Sequence, residues 1–107
     1  LEDFSKNYFK ILNTDLAGIN LTAIKDFKDF HNKQILDSTL ALEHSRVFQN
    51  SLNCCEFVCD VGFGVGFPLL PLAFLYKTCN FLGLEARRKK SEAVNLIIKK
   101  LGLKIVL

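Results

Sequence analysis

The chain has 107 residues and a net charge of +3; half of it is hydrophobic, and ten of its twelve aromatic residues are Phe. That length allows one small domain, and that apolar content excludes wholesale disorder. The longest apolar stretches are broken by Gly, Pro or charge well short of a membrane span. The charge is compatible with an anionic partner without requiring one.

Phe4, Tyr8, Ile11 and Leu12 fall at i, i+4, i+7 and i+8, one face of a first helix. Leu16-Ala17-Gly18 is expected to close it, with Gly18 in the stop position. In "NLTAIKDF", Asn20 or Thr22 can cap a short turn, and Asp26 supports a new helix start. Ile35, Leu36, Leu40 and Leu42 carry a further helix to about His44. Residues 1–50 therefore form an expected amino-terminal helical segment, and residues 51–107 have a different texture.

From Cys55, "CEFVCDV" reads as a buried strand, "PLLPLAFLYK" as a buried helix with Pro68 and Pro71 near its start, and "CNFLGLE" as a second strand ending on Glu85. Residues 88 to 101 make an amphipathic helix with the stripe Val94, Ile97, Ile98 and Leu101, capped by Gly102. "LKIVL" begins a third strand. The order strand, glycine loop, helix, strand, helix, strand is the first half of a doubly wound α/β sheet. Three parallel strands would leave an exposed edge and an uncovered face, so the chain is expected to be part of a larger domain, cut at both ends. Four cysteines at 54, 55, 59 and 79 lack the spacing of a zinc site. They are expected to be reduced thiols, buried or half-buried, in a cytoplasmic protein that holds no metal.

The loop "DVGFGVGF", residues 60 to 67, stands where open α/β sheets bind ligands, beyond the carboxyl end of the first strand. Its spacing is GxGxG at Gly62, Gly64 and Gly66, where a dinucleotide site prefers GxGxxG and a P-loop needs Gly-Lys-Ser/Thr. Asp60 ahead of the glycines is a poor neighbour for pyrophosphate and suits a ligand with a cationic group. Glu85, ending the second strand, is placed to accept ribose hydroxyls and would repel a 2′-phosphate. S-adenosylmethionine meets these terms, which point to the nucleotide half-site of a Rossmann-like class I methyltransferase. An NAD(P)-binding half-domain of an oxidoreductase is the alternative, kept open by Arg87 and Arg88. A ligand-free tight turn is the plain reading of the glycines alone.

Two segments together, "NLTAIKDFKDF…ILDSTLAL" over 20–42 and "DVGFGVGFPLLPLA" over 60–73, resemble the bacterial small-subunit ribosomal RNA methyltransferase G family, once called glucose-inhibited division protein B. The resemblance extends through "RRKKSEAVNLIIKKLGL". It implies a seven-stranded methyltransferase sheet preceded by helices, and methyl transfer from S-adenosylmethionine to guanine N7 of 16S ribosomal RNA, free or in the small subunit. It implies Asp60, Gly62, Gly64, Gly66, Phe67 and Glu85 as the cofactor side, and Asn20, Thr22, Asp37 and Ser38 as the wall near the target. Lys33 and Gln34 stand where the family has Arg-His, and Leu69 or Leu70 replaces the Gly between the prolines. Guanine N7 has a free lone pair and no proton to lose, so no residue is assigned as an acid–base catalyst. The protein is expected to act as a monomer without a membrane, and these 107 residues alone to be inactive.

Arg87, Arg88, Lys89 and Lys90 oppose the dipole at the start of their helix, a small cost that a phosphate contact would offset. Equally, they make a solvated helix face. His31 and His44 read as surface or capping residues, and Ser38 has no His placed to activate it.

Overall fold

The computed structural model describes residues 1–19, 21, 24–54 and 57–107, with the Ile19 side chain left aside. Expectations on Asn20 and Thr22 lie outside the described residues, as do those on Cys55. Helix α1 (Glu2–Asn13) buries Phe4, Ser5, Tyr8, Ile11 and Leu12, the face its spacing predicts. It ends earlier than expected. Its closing bond is Thr14 N–H to Lys10 O, and Gly18 lies inside a separate 3₁₀ turn, Ala17–Ile19. Polar Asn13 and Thr14 satisfy the last carbonyls locally, through bonds to Phe9 O and Lys10 O, so no left-handed Gly is needed there.

Asp26 caps α2 (Phe27–Phe30) by accepting the Asp29 N–H at 3.1 Å. The rod continues through six π-helical residues, His31–Leu36, into α3 (Asp37–His44). The wide π turn holds Ile35 fully buried while Leu36 stays exposed. No separate helix is expected over α4 (Arg46–Cys54), although Phe48 and Leu52 stand one turn apart and both pack on the core. Its local signal is Ser45, whose Oγ accepts the Phe48 N–H, and its one buried residue is Leu52.

Strands β1 (Phe57–Val61), β2 (Asn80–Leu84) and β3 (Ile105–Val106) form a parallel sheet in that order. Helices α5 (Leu69–Leu75) and α6 (Arg88–Leu101) make the crossovers. Register pairs Phe57 with Asn80 and Val61 with Leu84 on one side of β2, and Leu82 with Val106 on the other. This is the arrangement of one half of a doubly wound, Rossmann-like α/β sheet, and α6 covers the residues the stripe predicts before ending on Gly102.

The sheet is covered on one face. There Phe81 is buried, and a Cβ on Gly83 would come within 2.7–2.9 Å of Phe63, Leu69 and Leu107. The other face carries Phe57, Cys59, Val61, Leu84 and Val106, all exposed. The expectation of a buried first strand is thus corrected: among the described residues β1 pairs on one edge only, and its Phe57, Cys59 and Val61 are exposed. Cys54 is exposed too, and among the described cysteines only Cys79 is buried, giving its Sγ hydrogen to Leu52 O.

The helical segment packs onto the covered layer. Phe4 stacks on Phe74 of α5 at 4.5 Å, and Asp15 pairs with Lys100 of α6 at 3.2 Å. Tyr8, Phe30, Ile35, Phe63, Leu69, Leu70, Val94 and Ile97 are the deepest core residues. Among the described residues no helix is long and apolar enough to cross a membrane.

Candidate functional site

The glycine loop leaves β1 at its carboxyl end. Gly62 extends the ladder one step, its N–H donating to Leu84 O at 2.6 Å. Because the strands are parallel, this brings the loop beside the carboxyl end of β2, where Glu85 stands. Gly62, Gly64 and Gly66 have φ of 77°, 60° and 102°, a left-handed conformation that side chains disfavour. Phe63 points inward into the core, and Leu70 N–H to Gly66 O starts α5.

Glu85 clasps this loop. Its Oε1 accepts the Gly64 N–H and its Oε2 the Arg87 N–H, both at 2.9 Å. The Arg87 amide is the main reason its carboxyl sits below the ordinary carboxylate range; the Gly64 amide and the charges of Lys90 and Arg87 add to it, and partial burial opposes. One lone pair on each oxygen is used by the backbone, so each oxygen keeps capacity for a further donor.

Asp60 differs. Burial raises its carboxyl above the usual range, against a lowering by the Leu69 amide at the start of α5. Its Oδ2 is buried without a hydrogen-bond partner. A buried carboxylate oxygen left bare is costly unless a donor or cation completes it.

Phe67 is half-buried, stacked on Tyr8 at 5.1 Å and edge-on to Phe30 at 5.9 Å. Its peptide to Pro68 is cis. Phe67 and Pro68 line a groove with Gln34, Asp37, Ser38 and Phe48, so Asp37 and Ser38, two of the four residues expected near a target, lie beside the loop. Ser38 donates to Gln34 O at 2.6 Å, a bond inside the helical rod. His31 is a packing residue: its Nδ1 lies 2.7 Å from buried Ser5 Oγ, and its ring stacks on Phe27.

Arg87, Arg88 and Lys89 are exposed and Lys90 is half-buried, all at the start of α6 beside Glu85. Arg88 is paired with Glu92 at 2.9 Å. The residue that sequence reasoning missed is Tyr8, seen there only as a core position. Fully buried on α1, it donates its hydroxyl to Val65 O inside the glycine loop. Burial pushes its phenol far above its ordinary range, so it stays a donor at every working pH.

Residues 2–107 match the family described as rRNA small subunit methyltransferase G. The chain is 30% identical over 104 residues to the ribosomal RNA small subunit methyltransferase G of Mesoplasma florum, covering 97% of this chain and 41% of that protein. Against the protein of the same name from Brachyspira hyodysenteriae the identity is 35%, over 80% of this chain and 39% of the relative. For Dehalococcoides mccartyi it is 38%, over 92% and 39%. The chain thus spans 39–41% of the length of these relatives. The oxidoreductase alternative draws no support from these kinships. The chain belongs to the rRNA small subunit methyltransferase G family.

Proposed function

We propose that the intact protein transfers a methyl group from S-adenosylmethionine to guanine N7 of 16S ribosomal RNA. Residues 51–107 supply the first half of its cofactor domain and residues 1–50 the helical wall towards the RNA. The observation that carries this reading is the Glu85 clasp on Gly64, at the carboxyl ends of two parallel strands.

The residues fit the cofactor. The spare lone pairs of Glu85 suit two ribose hydroxyls, and the bare Asp60 Oδ2 suits an ammonium. A pyrophosphate would meet two carboxylates here, which weighs against a dinucleotide. When bound, the sulfonium supplies an activated methyl group. The chain's part is to orient: the glycines admit the ligand to the backbone, Glu85 fixes its ribose, and Asp60 balances its charge. Guanine N7 needs no base, so positioning carries the rate. The groove of Phe67, Asp37 and Ser38 is the side from which the target would approach. Exposed Arg87, Arg88 and Lys89, with Lys90, would meet RNA phosphates. The RNA, free or in the small subunit, places the protein in the cytoplasm, and we read it as a monomer. These 107 residues alone are read as inactive, since they span 39–41% of the length of the relatives.

Calorimetric titration of the intact protein checks the cofactor. Saturable binding of S-adenosylhomocysteine is expected, with none of NADH or NADPH. The reverse pattern would sink the methyltransferase reading.

A further inference from the structure

Tyr8 and Val65 are 57 positions apart, yet a fully buried hydroxyl from the first helix reaches a carbonyl in the middle of the glycine loop. The loop is thereby held from two elements at adjacent peptides. Glu85 of the sheet end takes the Gly64 N–H, and Tyr8 of the helical segment supplies a donor to Val65 O. Between them they fix the rotation of the Gly64–Val65–Gly66 backbone, which glycines on either side would otherwise leave free.

The Tyr8 ring cannot drift. It is stacked on Phe67 at 5.1 Å, and meets Phe30 and Phe4 edge-on at 5.6 and 5.8 Å. The fit around its hydroxyl is close, since a Cβ on Gly66 would lie 2.5 Å from Tyr8 Oη. Every other buried aromatic of this cluster is a Phe, and packing alone would be served by an eleventh. A buried hydroxyl needs a partner, and this one spends its bond on the loop that the cofactor reading assigns to the ligand.

We infer that Tyr8 is a positioning residue for the cofactor: its hydroxyl presets the glycine loop in the ligand-accepting conformation, so the amino-terminal helix is part of the cofactor site without touching the ligand. The inference rests on the cofactor reading above. It makes a specific demand on Tyr8→Phe, which keeps the ring and removes only the bond.

In the intact protein, Tyr8→Phe should weaken S-adenosylhomocysteine roughly five- to tenfold, the effect of one neutral hydrogen bond. The KM for the methyl donor should rise by a similar factor while kcat and the KM for RNA hold, and the far-ultraviolet spectrum should match wild type. Tyr8→Phe should also partly restore binding to a Gly66→Ala protein, because it removes the atom that the new methyl meets. Unchanged ligand affinity in Tyr8→Phe, with wild type binding normally, overturns this inference alone. Loss of kcat with KM unaltered also overturns it. If wild type itself fails to bind S-adenosylhomocysteine, the cofactor reading falls and this inference falls with it.

Discussion

Gly66→Ala is expected to be the most damaging small substitution in the chain. At φ 102° an alanine pays for a backbone conformation it rarely adopts, about 1–3 kcal/mol. Its methyl would then lie 2.5 Å from Tyr8 Oη and 3.0 and 3.3 Å from the two Leu70 methyls. Neither neighbour yields cheaply, because Tyr8 and Leu70 are both fully buried. Overpacking of this kind adds about 1–3 kcal/mol. The total is a large share of the 5–15 kcal/mol that typically holds a domain. Gly62 and Gly64 are the internal controls. Both have positive φ, but a Cβ on either meets nothing within 4 Å. Chemical denaturation of the three alanine variants should therefore rank Gly66→Ala as clearly the least stable. Equal loss at Gly66 and Gly62 would show that the Tyr8 contact does not constrain the loop.

The second large effect concerns Glu85→Gln, nearly isosteric and neutral. The carboxylate presents two acceptors to two backbone N–H groups, Gly64 and Arg87. Glutamine has one carbonyl oxygen, so its amide NH₂ must confront one of those donors. The loop loses its clasp or the Arg87 N–H, just ahead of α6, loses its acceptor, and the acceptors meant for ribose are halved. S-adenosylhomocysteine affinity should fall roughly ten- to a hundredfold, the range for charge-assisted bonds. The sign of the pH effect follows. The Glu85 carboxyl is held below its ordinary range, so its contribution is present above that range and is lost as pH falls through the lowered value. Asp60, raised by burial, protonates first on acidification and lowers affinity in wild type and Glu85→Gln alike; a further drop at lower pH should appear in wild type and be absent from Glu85→Gln. An affinity for Glu85→Gln equal to wild type would move the ribose contact elsewhere.

Features with local causes were legible in the sequence. The stripe Val94, Ile97, Ile98 and Leu101 and the cap Gly102 bounded α6 correctly because period and cap act within a few residues. Asp26 marked its helix start for the same reason. The meeting of Gly64 and Glu85 was legible because parallel strands bring their carboxyl ends together whatever packs around them. What tertiary context decides was not. Tyr8 had the spacing of a core residue, and nothing near it in the chain points to Val65. Helix α4 is nine residues long, and its inward face is Phe48 and Leu52, one turn apart, a short signal that passed unread. The apolar residues of β1 promised burial, but burial depends on what lies across the sheet, and Phe57 and Val61 are exposed. The π turn escaped because its register shift follows how Ile35 reaches the core, not any single residue type.

The central claim, methyl transfer to ribosomal RNA, is tested most directly by incubating the intact protein with methyl-labelled S-adenosylmethionine and unmethylated 16S RNA or small subunits, then mapping the label. The account predicts stoichiometric label on a single guanine, with the N7-methyl signature of strand cleavage after reduction and aniline treatment, and at least tenfold less with Glu85→Gln. Label on a protein or small molecule, or none on RNA while S-adenosylhomocysteine binds well, would contradict it.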